Sequence, residues 1–90
     1  MEEKFLAAVE TARKKAEALG VRIRPVDMKT ARRCLSGHRE SDGFYQLADL
    51  GRLELSLEAL AVKKPYTDLF SDEEANNALM RLLDAGYTFK

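Results

Sequence analysis

Residues 50–62, LGRLELSLEALAV, hold Leu50, Leu53, Leu55, Leu57 and Leu60 together with Ala59, Ala61 and Val62. Two structures compete for this stretch. Leu53-Glu54-Leu55-Ser56-Leu57 alternates apolar and polar side chains, the period of a strand. Wound as a helix, the same residues give two apolar stripes. Leu53, Leu57, Leu60 and Ala61 fall on one side, Leu55, Ala59 and Val62 nearly opposite. Glu54 and Glu58 lie in one gap, Ser56 and Lys63 in the other. Length decides for the helix, because the pattern continues through helix-favouring Glu58, Ala59, Leu60 and Ala61. A helix over 53–64 is therefore expected. Two apolar stripes must be covered on two sides, which places it centrally. Each buried leucine contributes about 1.5–3 kcal/mol.

Downstream, Pro65 ends this helix and Tyr66 to Leu69 reads as a connecting turn. Ser71-Asp72-Glu73-Glu74 is a capping box opening a helix over 72–85, which Gly86 stops. Upstream, Phe44, Leu47 and Leu50 mark a short helix over 44–50 that Asp42 is placed to cap. Polar residues 38–42 between Gly37 and Gly43 read as a loop. Asp27 caps a helix over 28–36 whose Met28, Ala31 and Leu35 face inward. Val21 to Val26 is extended, and Pro25 bars it from a central strand position. Phe5, Val9, Ala12, Ala16 and Leu19 give an amphipathic helix over 2–19, closed by Gly20.

The fold class is thus mainly α, an irregular bundle of about five short helices in one domain over 1–90. A minimal two-stranded ribbon of 21–26 with 87–89 would make it α+β. The expected core is Phe5, Val9, Met28, Leu35, Leu47 and Leu50, with Leu53, Leu57, Leu60, Leu79, Leu82 and Leu83.

At 90 residues the chain is near the small end of what folds without covalent staples. A single cysteine excludes an internal disulfide framework and suits a reducing compartment. No apolar run approaches the roughly 20 residues of a membrane span. No apolar signal core follows Met1-Glu2-Glu3-Lys4, so the expected location is the cytoplasm, away from membranes. Net charge is zero but segregated: residues 1–39 carry ten Lys/Arg against five Asp/Glu, and residues 40–90 the reverse. Either the halves neutralise each other on folding, or the first presents a basic patch to an anionic partner.

Catalytic signals are sparse. Cys34 and His38 stand four apart, the spacing of a thiolate–imidazole pair or of two metal ligands on a continued helix. Gly37 intervenes, and the remaining candidate ligands are carboxylates, so Cys34 reads as a small buried thiol. No GxSxG, HExxH, P-loop or dinucleotide-binding glycine pattern occurs. The chain is read as a non-enzyme with no cofactor, metal site or small-molecule substrate.

Arg22, Arg24, Lys29, Arg32, Arg33 and Arg39 form the candidate anion- or nucleic-acid-binding set. The segment Arg13 to Arg39 has no aromatic residue for base stacking, and the pI of 6.6 is low for a nucleic-acid domain. The helix–Gly51–helix arrangement resembles a helix-turn-helix unit. Leu47 and Arg52 depart from its pattern, and Glu54 and Glu58 would repel phosphates from its second helix. Tyr66, Phe70, Tyr87 and Phe89 add apolar surface that a partner or a second copy could cover. The leading expectation is a cytoplasmic protein–protein interaction or accessory module; the alternative is a nucleic-acid or anion binder acting through Arg22 to Arg39.

Overall fold

Ser56 divides the leucine-rich stretch. In the computed structural model, which describes residues 1–37, 39–64 and 66–87, no continuous helix runs over 53–64. Leu53–Leu55 form a 3-10 turn, Ser56 is extended (φ −75°, ψ 155°), and a short helix follows at Leu57–Ala61. The Ser56 hydroxyl donates to the Leu53 carbonyl at 2.7 Å and accepts from the Ala59 N–H at 3.1 Å. It closes one element and caps the next, which is why the expected helix breaks there. The central position is nonetheless found: every residue from Leu55 to Ala61 is buried.

The helices are α1 (Glu2–Ala18), α2 (Met28–Ser36), α3 (Phe44–Asp49), α4 (Leu57–Ala61) and α5 (Asp72–Asp84), with a second 3-10 turn at Tyr66–Leu69. α4 packs on α5 and on α1, and α2 packs on α5. α1 also covers the Leu53–Leu55 turn, so the leucine segment is wrapped from both sides. The structure is mainly α, as the periodicity implies.

Three helices end in the same manner. After α1 the Val21 N–H donates to the Ala16 carbonyl and Gly20 N–H to Glu17, both at 2.9 Å. Gly51–Arg52 after α3 and Gly86–Tyr87 after α5 repeat these paired bonds. The capping box at Ser71 and Glu74 forms with both of its bonds, and the Asp27 carboxylate accepts from the Thr30 N–H at 2.7 Å.

Three further expectations are corrected. The ribbon does not form: Val21 to Val26 is extended but joins no strand among the described residues, and Thr88 and Phe89 lie outside them, as do His38 and Pro65. Asp42 does not cap α3; Gly43 occupies that position at φ +74° and Asp42 is drawn to Arg24. Leu50 and Leu83 are half-exposed rather than core, and Leu79 and Met28 are only partly buried. Leu50 is the C-cap of α3, while the buried line of α5 runs through Ala78 and Leu82, turning Leu83 outward. Of the four aromatics noted in the sequence, Tyr66 and Phe70 meet Phe5 edge-to-face, with centroids 5.4 and 5.2 Å apart, and Phe89 lies outside the described residues.

Candidate ligand-binding groove

The extended segment after α1 bridges α1 and the loop before α3, and a groove of about 660 Å³ opens beside it. Its floor is aliphatic: Val9 of α1, Ile23 and Val26 of the extended segment, and Leu55, Leu57 and Leu60 of the central stretch. Its rim is basic, with Arg13, Arg24, Arg33 and Arg39 set against Glu40 and Asp42. Thr30, Cys34 and Ser41 supply the remaining polar side chains of the described wall. The volume lies within the roughly 300–1,000 Å³ typical of ligand sites.

Two of the four arginines are committed within the chain. Arg13 donates to Glu10 and reaches Glu17 at 3.4 Å, and its hydrogen bond holds the Glu10 carboxyl below its ordinary value. Arg24 grips Asp42 through Nε at 2.7 Å and Nη2 at 3.0 Å, which lowers the Asp42 carboxyl in the same way. Arg33 and Arg39 are exposed and have no carboxylate partner among the described residues. The Glu40 carboxyl is engaged by backbone and by the Tyr45 hydroxyl, and both hold it below its ordinary value.

The rest of the sequence-derived basic set does not converge. Arg32 turns away and donates to the Leu69 carbonyl at 2.7 Å. Arg22 and Lys29 are exposed and do not line the groove. Arg24, Arg33 and Arg39 are brought together, joined by Arg13 from α1, which sequence spacing does not connect to them.

Sequence reasoning missed the buried charge that fixes this rim. Glu58 sits on α4 with no solvent exposure. Its carboxylate accepts from the Ser41 N–H at 2.9 Å, the Ser41 hydroxyl at 2.5 Å and Arg81 Nη1 at 3.3 Å. Arg81 also donates from Nη2 to the Cys34 carbonyl at 3.2 Å and the Gly37 carbonyl at 2.6 Å, while Asn77 donates to Leu35 at 2.9 Å. Carbonyls at the end of α2 are thus satisfied by side chains from α5. The knot ties down both ends of the loop that carries Arg39.

Cys34 is half-buried in the groove wall, and burial, then the Glu58 charge, push its thiol up. A protonated thiol is a poor nucleophile. Among the described residues no three His, Cys, Asp or Glu side chains gather as a metal-binding group, and no helix is long and apolar enough to cross a membrane. No family model, curated protein or solved structure matches the chain.

Proposed function

We propose that this chain is a non-enzymatic interaction module that docks a protein partner in the arginine-rimmed groove. One observation carries the reading: an aliphatic floor lies beneath two arginines, Arg33 and Arg39, that no carboxylate of the described chain neutralises. Buried apolar contacts supply affinity at such a site, and uncommitted guanidinium groups supply orientation and selectivity. Two chemical facts favour binding over catalysis. Burial and the Glu58 charge push the thiol in the wall up, away from its nucleophilic thiolate form, and the Glu58 carboxylate accepts from three donors.

The alternative, a nucleic-acid binder acting through Arg22, Arg24, Lys29, Arg32, Arg33 and Arg39, has less support. Arg24 and Arg32 are engaged within the chain, and among the described residues no aromatic side chain lines the groove to stack a base. The test is capture from the source cell by the wild-type chain and by the double variant Arg33→Glu, Arg39→Glu, with and without nuclease. A protein retained by wild type through nuclease treatment and lost by the variant is expected. Capture abolished by nuclease, or indifferent to the variant, overturns the reading.

A further inference from the structure

The groove carries enough chemistry to specify what its partner presents. We infer that it takes a short segment in which aliphatic side chains are flanked by carboxylates, the aliphatic groups seated over Leu55, Leu57 and Leu60 and the carboxylates paired with Arg33 and Arg39. The inference rests on the interaction-module reading and adds the chemistry of the occupant to it.

Three features of the site select this occupant. The lining includes six aliphatic side chains, Val9, Ile23, Val26, Leu55, Leu57 and Leu60, so an inserted apolar group repays the water it displaces. A phosphate chain has no such group to insert, and a base would find no aromatic face among the described lining residues to stack on. At the rim, the acids already present are engaged: Asp42 by Arg24, and Glu40 by backbone and the Tyr45 hydroxyl. A basic segment would meet Arg33 and Arg39 against Glu40, the one rim carboxylate that no arginine pairs among the described residues, whereas an acidic one meets two guanidinium groups able to bind carboxylate bidentately. Finally, Arg33 and Cys34 of α2 both line the groove, so an occupant that fills it lies against the thiol.

The last point gives the site a built-in reporter, because Cys34 is the only cysteine of the chain. The probe is a fluorescein-labelled synthetic peptide of paired leucines flanked by aspartates. Its companions replace the aspartates by lysine or the leucines by serine, and single-stranded and duplex oligonucleotides complete the set. The full-length chain is expected to bind the acidic leucine peptide, to lose at least about tenfold in affinity for either companion, and to lose a similar factor in Arg33→Glu, Arg39→Glu. Bound peptide is expected to slow alkylation of Cys34. Because a charge reversal could act by disturbing the fold, the same variant is also offered the lysine peptide. A gain there, beside the loss for aspartate, is the expected signature of direct pairing.

Equal binding of the acidic and basic peptides, an oligonucleotide that outcompetes the acidic peptide, or unchanged alkylation of Cys34 at saturating peptide would overturn the inference. Should peptide binding fail while nuclease-resistant capture by the wild-type chain persists, the occupant chemistry is wrong and the module reading survives. Failure of both removes both.

Discussion

The Glu58 carboxylate lies 3.3 Å from the Arg81 guanidinium across 23 residues of chain, and no part of the Glu58 side chain reaches solvent. A buried ion pair is weak evidence for stability in itself, since dehydrating two charges offsets much of their attraction. Removing one partner is another matter, because it strands the other charge. Arg81→Met is therefore expected to cost about 3–5 kcal/mol in urea unfolding. The carbonyls of Cys34 and Gly37 also lose their donor in that variant. Replacing both residues by Met should recover part of the loss, and an unfolding midpoint for Arg81→Met equal to that of wild type would show that the pair does not form.

Gly43 is required twice over. Its φ of +74° disfavours any side chain, and a Cβ there would stand 2.6 Å from Val21 Cγ1 and 3.2 Å from Ile23 Cγ1. Gly43→Ala is expected to cost about 1–3 kcal/mol from backbone strain, with the steric overlap added. Gly51 has a similar φ of +69° but no atom within 4 Å of the added carbon, so Gly51→Ala should cost less. Comparable losses at the two sites would mean that the extended segment does not press on the start of α3.

Ser56→Ala removes the cap of α4 and leaves the buried Ala59 N–H without its acceptor. Loss of such a cap typically costs about 0.5–2 kcal/mol. Backbone hydrogen exchange at Ala59 should accelerate in the variant. Unchanged stability and exchange would favour the unbroken helix that the leucine spacing suggests.

The clasp between Arg24 and Asp42 should respond to acid. The folded carboxyl lies below its ordinary value because Arg24 bonds to it. Its contribution is thus fully present above the unfolded aspartate value, near about 3.9, and is lost as pH falls through the folded value. Arg24 is largely solvent-exposed, so the effect is small at neutral pH and smaller in salt. Asp42→Asn should lower the neutral plateau slightly and flatten the acid limb of the stability curve by the same small amount. An identical acid limb in the variant would show that Asp42 is unpaired.

Local signals proved the most legible. Gly20, Gly51 and Gly86 mark three helix ends, and the serine and aspartate caps at Ser71 and Asp27 mark two starts. Each depends on neighbours a few residues away. The break at Ser56 was hidden because the same leucines fit a helix, a strand and, as found, a turn followed by a capped helix. Only the competition between Ser56 capping and helix continuation decides among them, and it is settled by what packs around the segment. Glu58 was harder still. A glutamate in the polar gap of a helix is normally solvated, and its burial depends on Ser41 and Arg81, 17 and 23 residues away. For the groove, Arg24, Arg33 and Arg39 were visible as charge density. Their convergence with Arg13, and the departure of Arg32 toward Leu69, follow from the path of the extended segment and the orientation of α2.

The most direct measurement is a chemical-shift titration of isotope-labelled full-length chain with the acidic leucine peptide. The perturbed amides should cluster at Val26, Thr30, Arg33, Cys34, Arg39 and Ser41, around the groove. Perturbations confined to the exposed Met80 and Leu83 of α5, or none at saturating peptide, would contradict the placement of the binding face between α1, the extended segment and α2.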